Sequence, residues 1–409
     1  MFKPELLSPA GTLKNMRYAF AYGADAVYAG QPRYSLRVRN NEFNHENLQL
    51  GINEAHALGK KFYVVVNIAP HNAKLKTFIR DLKPVVEMGP DALIMSDPGL
   101  IMLVREHFPE MPIHLSVQAN AVNWATVKFW QQMGLTRVIL SRELSLEEIE
   151  EIRNQVPDME IEIFVHGALC MAVSGKCYLS LHETGCSANR GACRQICRRK
   201  YTLTDVETGA QLAAEGQYLL SPKDLCTIDF LDRFVGAGVR VLKIEGRARG
   251  AEYVRRVVAC YDRALRAMET GEYTPELAAA LKEELATVFN RGFWQGYYAG
   301  APMAEHSEHY GSSATRRKVY VGRVTNFFKK QSVAEVWVEA SPVRRGDELF
   351  FQGPTTGVVE LTADPYVGNA PAQEAVQGVF CSLKTPSLVR RGDQLYRMVP
   401  ADASNSQPD

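Results

Sequence analysis

The sequence predicts a (β/α)8, TIM-like barrel with some irregularity, followed by a small C-terminal all-β barrel domain. Three observations carry this. Eight β-rich runs alternate with amphipathic segments through about residue 270. Several runs follow a glycine at a short, similar distance: "GADAVY", "GPDALI", "GLTRVI" and "GAGVRVL". Helix, glycine stop, strand is what a repeated βα unit needs. Beyond about residue 318 the pattern changes to short alternating strands. An open doubly wound sheet is the alternative for the first region, but no glycine-rich dinucleotide turn follows the first run.

In chain order the eight runs are PELLSPAG, DAVYAG, KKFYVVVNIAP, DALIMSD, IHLSVQAN, RVILSRE, IEIFVHG and VLKIEG. The segment after RVILSRE opens with Ser145 and Glu148 in capping-box spacing. A helix over about 250–270 closes the barrel, and Thr274-Pro275 starts another through about 289. The barrel region spans 1–302, with a cysteine-rich insertion at 170–200 and a polar stretch at about 201–217. Residues 303–317 read as a linker, 318–399 as the β domain and 400–409 as a disordered tail. The β domain holds a near repeat, "SPVRRGDELFF" and "SLVRRGDQLYR", in which RRGD reads as a tight turn before a strand.

The chain has 409 residues and a net charge of +1, so any polyanion would have to meet a local basic patch rather than the whole molecule. The N-terminus lacks a signal-peptide pattern and no run reaches the roughly 18 apolar residues of a membrane span. The expectation is a cytoplasmic protein that keeps its thiols reduced, with no membrane partner.

Alternation assigns faces to the strands. Ile161, Ile163 and Val165 are expected to pack on helices, leaving Glu162, Phe164 and His166 in the lumen. Ile113, Leu115 and Val117 point out, and His114, Ser116 and Gln118 point in. Leu242 and Ile244 point out, and Lys243, Glu245 and Arg247 point in. Three strands thus send polar groups inward near their C-terminal ends, where barrel active sites sit. The bland reading is that lumen charges such as Lys243 and Glu245 only neutralise one another.

Directly after the seventh run, five of the eight cysteines fall between residues 170 and 197. Four form the spacing Cys170-x6-Cys177-x15-Cys193-x3-Cys197. Four thiolates suit a tetrahedral zinc site or an iron–sulfur cluster, and this spacing matches neither a zinc ribbon nor the common ferredoxin run. Gly167, Gly175, Gly185 and Gly191 allow close backbone approach, and Arg190, Arg194, Arg198, Arg199 and Lys200 can offset cluster or phosphate charge. Cys226, Cys260 and Cys381 read as core thiols; Cys186 is a spare thiol or a substitute ligand.

The run "EIFVHGALCMAVSGKCYLS" resembles the signature of the U32, or collagenase-like, peptidase family. "ELLSPAG", "GADAVYAG", "NRGACRQICRRKY", "SPKDL", "KIEGR" and "NRGFWQGYY" look like that family too. The likeness covers most of residues 4–300, and the β domain resembles that of the longer bacterial members. Several members resemble oxygen-independent hydroxylases that carry a 4Fe-4S cluster. Length and layout look most like the branch that makes 5-hydroxyuridine at the tRNA wobble position with prephenate as co-substrate. The resemblance implies Cys170, Cys177, Cys193 and Cys197 as cluster ligands; Cys186 departs from the pattern.

On this reading His166, Glu162, Lys243 and Glu245 are the catalytic candidates. Gln118, Arg142, Arg247, Arg198 and Arg199 are the substrate-binding candidates, with Arg142 and Arg247 suited to the carboxylates of prephenate. The partner is the tRNA anticodon stem-loop, with an electron donor and a partner subunit left open. Arg33, Tyr34, Arg37, Arg39, Lys200, Lys329 and Lys330 are further candidates for an RNA approach. A hydroxylase of another RNA or of a small aromatic substrate would fit the same motifs, and two other readings stand beside it. A peptidase would need one thiolate beside a histidine, for which Cys170 and His166 could serve; no HExxH or GxSxG motif is present. A non-catalytic RNA-binding scaffold would hold a structural zinc.

Overall fold

A computed structural model describes residues 2–36, 42–212, 218–246, 248–301, 305–353 and 355–402. The chain divides into two units, Met1–Ser313 and Ala314–Asp409.

In the first unit, β1 (Glu5–Pro9), β2 (Ala26–Gly30), β3 (Lys61–Val66), β4 (Ala92–Met95), β5 (Ile113–Leu115), β6 (Arg137–Ile139) and β7 (Glu160–Gly167) pair in parallel, each with the next. A short strand β8 (Asp224–Cys226) precedes β9 (Val241–Ile244). β9 runs parallel to both β7 and β1 and closes the ring of eight. The intervening helices are α1 (Leu13–Ala21), α2 (His45–Ala57), α3 (Asn72–Glu87), α4 (Pro98–His107), α5 (Trp124–Gln132) and α6 (Leu146–Gln155). A short helix α7 (Leu179–Thr184) lies in the cysteine-rich segment, and α8 (Leu231–Gly236), α9 (Ala251–Thr270) and α10 (Pro275–Ala286) follow.

Local sequence explains where these helices begin and end. Thr12, Asn44, Asp97, Asn123, Ser145 and Thr274 each cap a helix by accepting a backbone N–H three residues on. The Ser145–Glu148 capping box is complete. Gly23, Gly89, Gly134 and Gly238 have φ of 111°, 71°, 78° and 77°, the left-handed stops that turn each helix into the next strand. Outward strand residues such as Leu6, Val27, Val64, Leu93, Leu115, Val138, Ile163 and Leu242 are fully or almost fully buried in one continuous core. Among the described residues no helix is long and apolar enough to cross a membrane.

The irregularity lies at the end of β7. β8 runs antiparallel to it, Leu225 opposite Gly167 and Cys226 opposite His166, and β10 (Phe293–Trp294) adds parallel to β8. Against β9 the register is Phe164 to Lys243 and then His166 to Ile244, so Val165 is an extra residue. A bulge of this kind reverses which face the following side chains point to. It takes His166 out of the lumen.

The second unit is antiparallel throughout. Its main strands are β11 (Arg316–Phe328), β12 (Val333–Val338), β13 (Glu348–Gly353), β14 (Gly357–Thr362), β15 (Phe380–Lys384) and β16 (Gln394–Pro400), in the order β14-β13-β16-β11-β12-β15. Val321, Val336, Phe351, Leu383 and Leu395 are among its buried core. The two RRGD turns are alike in detail. Asp347 and Asp393 each accept the N–H of the arginine three residues back at 2.7 Å, and Gly346 and Gly392 have φ of 88° and 89°.

Candidate functional site at the barrel mouth

The lower lumen is filled by a closed set of charges. Glu162, fully buried, accepts from Lys243 Nζ at 2.7 Å and lies 3.7 Å from Arg137 Nη1. Arg137 also meets Glu5 and Glu160, each at 2.8 Å. Glu5 takes further hydrogen bonds from Tyr63 Oη at 2.9 Å and Lys61 Nζ at 2.9 Å. Three carboxylates thus face three cations. Burial would raise the Glu5 carboxyl, but Arg137 and Lys61 hold it below its usual value. Burial likewise opposes charge on Arg137, and Glu5 and Glu162 more than offset it. His114 stands edge-on to Tyr63 at 4.8 Å. Burial, and then Arg137, Lys243 and Lys61, push it well below its ordinary value, so it is neutral.

Above this floor, at the C-terminal ends of the strands, a cavity opens. Its lining includes Tyr28, Asn67, Ser116, Gln118, Arg142, Phe164, Lys243 and Glu245, together with Cys170, Cys177, Cys193 and Cys197. Lys243 Nζ lies 4.4 Å from the Tyr28 ring centroid and 5.4 Å from that of Phe164. Arg142 covers Phe164 at 4.8 Å while its Nη1 donates to Ala168 O at 3.0 Å. Tyr28 Oη lies 3.3 Å from Glu245 Oε2, and Asn67 Nδ2 donates to Ser116 Oγ at 3.2 Å. Two glycines bring the strand ends this close. A Cβ on Gly167 would lie 2.3 Å from Glu245 O, and one on Gly246 would lie 2.6 Å from the Tyr253 ring.

The cysteine segment is pinned to the rim at both ends. Ser174, buried with φ of 46°, donates its N–H to Glu143 Oε1 at 2.9 Å and its hydroxyl to Asn120 Oδ1 at 2.7 Å. Ser141 Oγ meets Ser174 Oγ at 2.8 Å. At the far end Arg198 donates to Leu169 O at 2.6 Å, Ser221 Oγ at 2.9 Å and Pro222 O at 3.3 Å. Gln195, between Cys193 and Cys197, also has a left-handed φ of 53°. These constraints turn four thiols from one segment onto one cavity. Burial raises the Cys197 thiol, Arg198 opposes that, and Cys170, Cys193 and Cys177 add to it. Among the described residues no three His, Cys, Asp or Glu side chains stand close enough to share a single ion. Cys186 is outside the cavity lining, and its Sγ accepts from Arg194 Nε at 3.4 Å.

The cavity therefore brings together Gln118, Arg142, Lys243, Glu245 and the four spaced cysteines. Glu162 sits beneath it, bonded to Lys243. Other expectations need correcting. His166 packs among Tyr253, Tyr261 and Phe293, 3.4 Å from Tyr261 Oη, and burial pushes it down to about 3. The Val165 bulge puts it on the helix side, away from the cavity that Cys170 lines. Arg198 spends its guanidinium on the loop and anchors it, and Arg199 is exposed outside the cavity lining. Val117 lines the cavity instead of facing out, because β5 ends at Leu115 and a 3-10 turn follows. Tyr34 is fully buried with its hydroxyl on Asp81, and Arg33 pairs with Asp81 at 2.7 Å. Arg37, Arg39 and Arg247 lie outside the described residues. Lys329 and Lys330 are exposed residues of the second unit.

The sequence reading passed over Tyr28, Asn67, Arg137 and the clasp formed by Asn120, Ser141, Glu143 and Ser174. Alternation along β2, β3 and β6 carried a signal for the first three. The clasp had none, since its members come from three separate loops.

Residues 11–308 match peptidase family U32. The chain is 57% identical to the tRNA hydroxylation protein P of Escherichia coli strain K12, over 91% of each chain. It is 52% identical to the protein of the same name from Haemophilus influenzae, over 83% of each. It is 40% identical to a collagenase of Porphyromonas gingivalis, over 96% of this chain and 97% of that one.

Proposed function

We propose that this chain, which belongs to peptidase family U32, is a tRNA hydroxylase that converts the wobble uridine to 5-hydroxyuridine without molecular oxygen. The relatives named for tRNA hydroxylation support the reaction class. One observation carries the reading to this site: Cys170, Cys177, Cys193 and Cys197 converge on the same cavity as Lys243, Glu245 and Arg142. The soft thiol set fits a 4Fe-4S cluster, whose corners stand further apart than the ligands of a single zinc ion. When bound, such a cluster supplies one-electron chemistry beside the substrate.

The chain's own residues do the rest. Tyr28 and Phe164 offer ring faces to a planar base swung out of the anticodon loop, where unstacking costs little. The Lys243 ammonium, held by Glu162, stabilises negative charge on a pyrimidine carbonyl oxygen in a water-poor pocket. Glu245 accepts a hydrogen bond from the base edge. Arg142 is the residue for the carboxylates of prephenate as co-substrate. Since tRNA is the substrate, the cytoplasm is the expected location.

The collagenase relative raises a peptidase reading. That reading needs a thiolate and a base side by side, and His166, neutral and enclosed by three aromatic rings, is not in the cavity that Cys170 lines. The deciding test is anaerobic purification with iron, sulfide and zinc analysis, followed by nucleoside analysis of tRNA treated with the loaded protein and prephenate. About four irons and four sulfides per chain, with 5-hydroxyuridine formed, supports the proposal. One zinc without iron, or unchanged tRNA, overturns it.

A further inference from the structure

A second cavity adjoins the first, and the residues on its far side have no role in the reaction just described. It is bounded by Arg142, Cys170 and Met171, which it shares with the first, and by Leu219, Trp294, Tyr297 and His306 on its far side. Two aromatic rings stand in its lining among mostly aliphatic side chains. Trp294 and Tyr297 stand edge to face, ring centroids 5.3 Å apart at 76°. Trp294 is 5% exposed, and its indole N–H has no acceptor among the described residues. A buried donor without a partner costs stability, so it marks a place where a ligand's acceptor is expected. Burial lowers His306, which makes it a neutral donor or acceptor. Arg142 forms the wall between the two cavities.

We propose that this second cavity takes the base of the nucleotide next to the modified one. This rests on the tRNA reading and deepens it. A strand that delivers one base to the first cavity must place its neighbour within one nucleotide step of the shared wall. Rings, one guanidinium and an unpaired N–H are what a splayed base recognises: a face to stack on and a donor for a ring nitrogen or carbonyl.

The test uses full-length, cluster-loaded protein and short anticodon stem-loops, with Kd measured by fluorescence anisotropy. One stem-loop is intact, and two lack the base on the 5′ or the 3′ side of the target uridine. Wild type is expected to bind one abasic form about tenfold more weakly than the intact form. Trp294→Phe keeps a ring but removes the N–H. It is expected to lose much of that difference and to become indifferent to the identity of the flanking base. Tyr297→Ala, at a partly exposed position, tests the stacking face if Trp294→Phe lowers Tm. Equal wild-type binding of intact and both abasic forms overturns the proposal. So does a full penalty for the missing base in both variants. Either result leaves the hydroxylase reading intact if 5-hydroxyuridine still forms. Absence of product with a tenfold abasic penalty would sink that reading and keep the second cavity as an RNA subsite.

Discussion

The floor and the mouth of the barrel are built from the same strands and solve opposite problems. At the floor Glu5, Glu160, Glu162, Arg137, Lys61 and Lys243 form a balanced set in which each charge faces an opposite one. At the mouth the four cysteines, Arg142, Glu245 and Gln118 converge on open space. Lys243 belongs to both, pairing with Glu162 below and lining the cavity above. Inward polar residues on a barrel strand are therefore not all alike. Those in the lower layer close on one another, and those in the upper layer line a cavity.

Breaking the mouth is expected to abolish function and leave the fold. Serine at any one of Cys170, Cys177, Cys193 or Cys197 should bring iron below about one per chain from about four and remove product, with Tm nearly unchanged. Serine at Cys186 should keep the iron. Metal analysis and nucleoside mass spectrometry read both. If the Cys186 variant loses iron and a Cys170 variant does not, the ligand assignment is wrong.

Breaking the floor should strike the fold while leaving the cysteine segment able to hold iron. Glu162→Gln strips Lys243 and Arg137 of a buried counter-charge. Such a change is worth roughly 3–5 kcal/mol, read as a drop in the urea midpoint. Iron content per folded chain should hold. A variant as stable as wild type would mean that the floor charges contribute nothing net.

Acid sharpens the comparison, because the two buried histidines sit on either side of the barrel wall. Burial pushes His166 down to about 3 and holds His114 well below its ordinary value. In the unfolded chain both bind a proton near pH 6.5. The unfolded state therefore takes up more protons below that pH. Stability is whole above about pH 6.5 and declines as pH falls, by roughly 2 kcal/mol per histidine between pH 7 and pH 5. Replacing His166 with phenylalanine should remove one of the two shares from a plot of urea midpoint against pH. A wild-type profile flat from pH 7 to pH 5 would contradict the neutral assignment.

The smallest effect is expected at Arg199. It is exposed and outside the cavity lining, so Arg199→Ala should weaken tRNA binding by about threefold or less. The slope of log Kd against log salt should fall by about one if the residue meets a phosphate. Arg198→Ala should cost far more, because it frees three acceptors that tie the cysteine segment to the rim.

How far the sequence could be read depended on the range of the signal. The eight parallel strands, the Ser145 capping box, the glycine stops and the RRGD turns were legible because each is set within a few residues. That Lys243 and Glu245 share the lumen face was legible because alternation within a strand decides which side chains point inward; Arg142 lies beyond its strand, and Gln118 sits on a 3-10 turn after β5, where alternation no longer applies. His166 escaped because one extra residue, Val165, resets that alternation, and the bulge exists where β8 and β9 both pair with the end of β7. Tyr34 looked like a base-stacking residue in a basic run. Its hydroxyl bonds to Asp81, 47 residues away, and draw it into the core.

The sequence by itself determined the barrel and the two units' differing periodicities. Both follow from short-range rules: side-chain period, capping and turn chemistry. Tertiary structure alone decided which charges close on one another at the floor and which face the mouth. It also turned Arg198 from a substrate contact into an anchor and set a second cavity against the first. Those outcomes depend on pairs of residues far apart in the chain, such as Arg137 with Glu5 and Arg142 with Trp294 across one cavity. Only closure of the ring brings them together.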